Sequence, residues 1–245
     1  MNIHFQSRRL IVFLYFAIPI FTVVAGQLQY PQIPQSGNTL TEFTPKSWMV
    51  LDTAIGDLNK DGAQDMAFVL QAKDSVTFTK RFTTDPKDID TVRALQRMLV
   101  ITFFNKESKR FQLVEFSNTF ILMHDNPYMD EPFGDITITN GVLKLDFHIW
   151  YSMGSWSTIE SSYKFRYDNN VFTLVGADYI YLLRNTGDTD ERSYNFITNK
   201  VQVKTTKGSN GNTKTTWKNL QLTTLKTFKT FTEPYSWEIE KNIML

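Results

Sequence analysis

In "GDLNKDGAQD" the residues Asp57, Asn59, Asp61 and Asp65 fall at loop positions one, three, five and nine, with Gly62 at six and Ala63 at seven. Calcium takes about six to eight hard oxygen ligands in flexible geometry, and alternating side chains converge on it where a residue such as glycine allows the chain to bend. The set is therefore the side chains of Asp57, Asn59, Asp61 and Asp65, the Ala63 carbonyl and water. Magnesium fits less well because it demands rigid octahedral geometry and keeps its waters. Asp, Asn and Gly also build turns on their own account. Three carboxylates in so short a loop repel one another unless a cation offsets them, and that favours the ion.

A second acidic stretch, "MHDNPYMDEPFGD", gathers Asp125, Asp130, Glu131 and Asp135 beside His124. Two such carboxylates serve as an acid and base pair in glycoside hydrolysis, where separation in space decides the chemistry. Otherwise they line a solvated loop stiffened by Pro127 and Pro132, or a second cation site. "FHIWYSMGSWST" places Trp150, Tyr151 and Trp156 around Gly154, as a recognition surface if exposed or as core if buried. With Asp130 and Glu131 these rings make the candidate recognition surface. The chain has no cysteine, and beyond His4 only His124 and His148, too few for a histidine-ligated zinc site without added ligands. Nucleophile-elbow, Walker and dinucleotide glycine patterns are absent, so no catalytic residue is assigned.

The elements that must position these groups read as strands. From Trp48 onward, short apolar and alternating runs rich in Val, Ile, Thr, Phe and Tyr are separated by turn residues, the pattern of an antiparallel β protein. Asn140-Gly141 supplies the positive φ angles of a two-residue hairpin and pairs Ile138 with Leu143 and Ile136 with Leu145. Asn169-Asn170 pairs Tyr167 with Phe172 and Phe165 with Leu174 by the same logic. Further hairpins turn at Asn105 to Arg110 and at Thr198 to Lys200. The expected fold is mainly β, an antiparallel meander of hairpins in a sandwich or open barrel-like sheet, with at most one short helix. That helix, or a connector in its place, falls at Asp85 to Arg97, where Ile89, Val92 and Leu95 are spaced by three.

Residues 1–26 read as a secretory signal: Arg8 and Arg9 precede an apolar run from Leu10 to Val24, and Val23 and Ala25 are small cleavage-site residues. Residues 27–44 form a proline-containing extended leader, 45–206 the β domain with its calcium loop at 57–65, and 207–245 edge strands or a tail of that domain. Without the two signal arginines the chain has 24 basic and 25 acidic residues. That balance argues against nucleic acid, whose binding needs a basic face. Cleavage leaves no second apolar run, so an exported, periplasmic or extracellular protein without membrane insertion is expected. Lacking disulfides, it must draw stability from core, hydrogen bonds or metal.

The loop resembles the Asp-x-Asn-x-Asp-Gly-x-x-Asp loops of dockerins, EF-hand-like modules and FG-GAP repeats. Position twelve is Phe68, not glutamate, and a β run follows in "DMAFVL", so the FG-GAP-like strand-loop-strand form is the nearer resemblance. "GDLNKDGAQDMAFVL", "EPFGDITITNGVLKL", "YKFRYDNNVFTLVGADY" and "NFITNKVQV" together are similar to a family of exported bacterial proteins of uncharacterised function, over about residues 45–206. The resemblance implies compartment and fold, and no activity. The expected function is a calcium-stabilised exported β domain that binds an unknown protein or glycan, the alternative being a carboxylate-dependent glycan hydrolase.

Overall fold

The computed structural model describes residues 28–81, 87 and 89–245, so the signal-like residues 1–26 and most of the segment 82–88 lie outside it. Two open antiparallel sheets make up the domain, and neither closes into a barrel. The first contains β1 (Ser36–Gly37), β2 (Trp48–Gly56), β3 (Asp65–Arg81), β4 (Ile89–Asn105) and β5 (Arg110–Ser117), in the order β1-β5-β4-β3-β2. The second is an uninterrupted meander of β6 (Phe133–Thr139), β7 (Val142–Trp150), β8 (Ser157–Asp168), β9 (Val171–Leu183), β10 (Asp188–Asn195), β11 (Lys200–Thr206) and β12 (Thr213–Asn219). A small C-terminal hairpin of β13 (Glu238–Glu240) and β14 (Ile243–Met244) completes the chain.

The hairpins follow from their turn residues. Asn140 and Gly141 have φ of 53° and 73°, and Ile138 opposes Leu143 while Ile136 opposes Leu145. Asn169 and Asn170 have φ of 49° and 61°, and Tyr167 opposes Phe172 while Phe165 opposes Leu174. In both, the left-handed backbone lets a two-residue loop match the twist of its strands.

The runs "MAFVL" and "MLVI" are apolar throughout because their strands are buried on both faces. Ala67, Val69, Leu99 and Ile101 face the second sheet and join the main core, whereas Met66, Phe68, Leu70, Met98 and Val100 face outward. That outer face is covered by the leader, whose Ile33 and Phe43 are buried on it with Tyr30 and Leu40 alongside. Within the leader β1 pairs with β5, and Leu40–Phe43 makes a 3-10 turn.

Phe120 is the hub of the main core, with edge-on contacts to Phe147, Tyr163, Phe165, Phe228 and Phe231 at centroid separations of 5.1 to 6.1 Å. Phe228 and Phe231 come from the tail. Within 207–245, expected as edge strands or a tail, β12 is an exposed lysine-bearing edge strand of the kind that blocks sheet-to-sheet association, and between it and the β13–β14 hairpin an irregular segment packs Phe228 and Phe231 into the core.

The helix expected over Asp85 to Arg97 is not formed where the chain is described: residues 89–97 are part of β4. Val92, Ala94 and Gln96 are buried while Thr91 and Arg93 are exposed, a period of two that the three-residue spacing of Ile89, Val92 and Leu95 obscured. This half of β4 pairs with Ser75–Arg81 of β3 in a ribbon that runs past the other strands of its sheet.

Candidate functional site

Both ends of the sandwich concentrate polar groups. At one end β2 gives way to the loop 57–64. The Asp57 carboxylate accepts the N–H groups of Asp61 and Gly62 at 3.2 and 2.8 Å. The Asn59 amide oxygen accepts the Asp61 N–H at 3.0 Å, and the Asp61 carboxylate accepts the Ala63 N–H at 2.7 Å. Gly62, at φ 84°, makes the bend.

Asp65 is wholly buried; one of its oxygens accepts from Leu58 and Asn59 at 2.8 and 3.3 Å, and the other accepts the Phe104 N–H at 3.0 Å. It thereby ties the loop to the β4–β5 hairpin. From that hairpin Lys106 donates to the Asp61 carbonyl and lies 3.5 Å from its carboxylate. The Ala63 N–H, together with Asn59 and Lys106, holds Asp61 below the usual carboxylate range, while burial pushes Asp65 above it.

A carboxylate oxygen has two lone-pair positions, so Asp57, Asn59 and Asp61 retain acceptor capacity, and their N–H partners fix the oxygens' orientation. That donor set suits a hard cation. Asp57 also accepts a backbone N–H on each oxygen; Asp65 differs in being wholly buried and in having one oxygen filled by two N–H donors. Among the described residues no group of three or more His, Cys, Asp or Glu side chains is gathered as a metal site.

The second acidic stretch does not stay together. Asp125 pairs with Lys80 at 2.5 Å. Glu131 forms a two-pronged pair with the buried Arg97 at 2.5 and 2.7 Å and accepts the Phe133 N–H. Burial raises the pKa of Glu131, but Arg97 and Phe133 outweigh it, and the carboxyl sits below its ordinary value. A group so held is a poor proton donor. Asp135 turns to Asp52 across the junction of the sheets, and burial, with a hydrogen bond shared with Asp52, raises its pKa. His124 bonds the Met129 carbonyl at 2.6 Å.

The aromatic stretch behaves differently from a core element. The turn 151–156 projects from the far end of β7 and β8, with Met153 63% and Trp156 67% exposed. Arg184 fixes it: the guanidinium lies 5.2 Å from the Trp150 ring, donates to the Tyr151 and Ser155 carbonyls, and its own N–H bonds the Trp156 carbonyl. The Asp130 N–H bonds the Trp150 carbonyl at 2.9 Å, and Met129 bridges Tyr151. Trp150, Tyr151, Trp156 and Asp130 are thus brought together, and Glu131 points elsewhere.

Beside this turn opens a cleft of about 900 Å³. Its floor is the inner face of the second sheet at Ile149, Ile159 and Tyr179, where the first sheet no longer covers it. The segment 118–129 and the tail at 233–236 form its walls, and Lys80 reaches it from the β3–β4 ribbon. Sequence reasoning missed this cleft, since its lining runs from Leu28 to Met244 and so assembles segments from nearly the whole described chain; the phenols among its lining residues carry no local pattern.

No protein-family model matches the chain, and no curated protein or solved structure matches it. The class defined by fold and geometry is therefore an open antiparallel β sandwich with a polar loop at one end and a cleft at the other. No helix among the described residues is long and apolar enough to cross a membrane.

Proposed function

We propose that this chain is an exported binding module, stabilised by calcium at the loop 57–65 and engaging its partner at the opposite end through the turn 151–156 and the adjoining cleft. The observation that carries the reading is the turn itself: a large ring and a methionine stand in solvent on a segment that Arg184 holds rigid at a cleft mouth. Rigid exposed aromatics provide contact area at low entropic cost and dominate interfaces. Glycans or a protein surface suit such a turn. Asp57, Asn59, Asp61 and the Ala63 carbonyl would hold the ion, with Asp65 organising the loop beneath them. The missing position-twelve glutamate fits the weak affinity of extracellular calcium modules. Export rests on the signal-like residues 1–26.

A glycan array probed with the wild-type chain and with Trp156→Ser tests the reading. Glycans retained by the wild type and lost by a variant with unchanged melting temperature support it. Equal binding by the two removes the turn from recognition.

A further inference from the structure

We propose that the cleft binds a small organic cation, an amine on an apolar or aromatic body, with the Glu233 carboxylate as its counter-ion. The proposal rests on the reading of this end as the binding end and assigns the ligand's charge. A volume of about 900 Å³ lies within the range of small-molecule sites, which combine apolar walls with a few placed polar groups.

Among the described residues three charged side chains line the cleft: Lys80, Asp125 and Glu233. Lys80 and Asp125 form an ion pair at 2.5 Å, so together they present no net charge. Glu233 is an exposed residue of the lining, and among the described residues no hydrogen bond or ion pair reaches its carboxylate. Glu131 and Glu240, by contrast, are each bonded to an arginine. The described residues therefore give the cleft one negative charge beside an apolar floor. An anion would meet repulsion, and a neutral ligand would shield that carboxylate from water without offsetting it.

Two further features suit a cation. The rings of Tyr179 and Tyr235 line the space, and phenol faces attract ammonium groups within about 6 Å. Tyr235 is held in the left-handed region at φ 61°, and its buried hydroxyl lies beside Ser161. Such backbone strain in a non-glycine residue concentrates at ligand clamps. Burial also raises the pKa of Glu233, with Lys80 drawing it down and Asp125 adding to the rise.

Titration calorimetry of the full chain with phenethylammonium, 2-phenylethanol and 3-phenylpropionate, three probes of similar shape, tests the charge. Phenethylammonium should bind at least about tenfold more tightly than the alcohol, a difference of about 1.4 kcal/mol, and phenylpropionate more weakly than both. Glu233→Gln should lower amine affinity to that of the alcohol, and Glu233→Lys should make phenylpropionate the preferred probe. If the alcohol binds as well as the amine, or Glu233→Gln leaves amine affinity unchanged, the assigned charge is wrong although the cleft remains a binding site. If none of the three binds at about 10 mM, a concentration that detects free energies of only about 3 kcal/mol, the reading of the cleft falls as well.

Discussion

Replacing Asp65 by alanine should be among the most damaging single changes at the loop end. Asp65 exposes none of its surface, and its carboxylate accepts three N–H groups, from Leu58, Asn59 and Phe104. A hydrogen bond to a charged group contributes about 1.5–3 kcal/mol. Leu58 is itself fully buried, so its N–H would find no water, whereas the half-buried Asn59 and Phe104 recover part of their loss. Relief of the carboxylate's burial offsets some of the cost, leaving about 3 kcal/mol, a large part of a typical domain stability of roughly 5–15 kcal/mol. Asp65→Asn keeps the shape but turns one acceptor into a donor facing an N–H, and should cost about 2 kcal/mol. Asp57→Ala supplies the contrast: its partners, the Asp61 and Gly62 N–H groups, are exposed, so water replaces the acceptor and the loss should stay near 1 kcal/mol. Urea unfolding in chelator, read by tryptophan fluorescence, isolates these terms from any ion. An Asp65→Ala variant within about 1 kcal/mol of the wild type, or one no worse than Asp57→Ala, refutes the account of Asp65 as the buried clamp.

Two further outcomes are expected. Calcium at 100 times its dissociation constant should add about 2.7 kcal/mol of stability if it binds the native state only; a melting temperature indifferent to calcium and chelator, in wild type and Asp61→Ala alike, refutes the ion. Glu131→Gln should cost about 2 kcal/mol, below the roughly 3–5 kcal/mol of a fully buried broken pair, because Arg97 is 4% but Glu131 48% exposed and Arg97 keeps Gln71 and the Leu122 carbonyl. The pKa of Glu131 is depressed on folding, so its contribution is present above the ordinary value of 4.5 and fades as pH falls through the lower folded value; a gap between wild type and variant that persists unchanged in acid contradicts that sign.

How much of this was legible in the sequence depends on how local each signal was. Asn140-Gly141 and Asn169-Asn170 fix both turn and register within four residues, so the pairs of Ile138 with Leu143 and Tyr167 with Phe172 follow from chain order alone. The loop 57–65 was legible because its oxygens and Gly62 recur at short spacing. Asp65 was less so: its bond to Phe104 spans 39 residues, and composition cannot say whether a carboxylate faces an ion or a buried N–H. The segment 89–97 misled because apolar residues three apart fit a helix as well as a strand whose exposed face carries Ile89. The acidic stretch misled in the opposite sense, since neighbours in sequence were drawn apart by partners on other strands, Glu131 by Arg97 and Asp125 by Lys80.

The two ends of the sandwich differ in how completely their polar groups are satisfied, and this difference separates stability from recognition. At the loop end Asp57, Asp61 and Asp65 all accept backbone N–H bonds, and Lys106 answers part of their charge; folding alone accounts for those contacts. At the cleft end the Tyr235 backbone is strained, Glu233 is unpaired among the described residues, and Trp156 lies in water. None of these features stabilises the fold, and each carries a cost that burial or pairing elsewhere must offset. The covering first sheet stops short of Ile149, Ile159 and Tyr179, so the apolar floor is open as well. A chain that satisfies Asp65 three times over leaves Glu233 without a bond among the described residues, and a ligand that pairs with Glu233 while covering that floor would offset that charge and the open apolar surface at once.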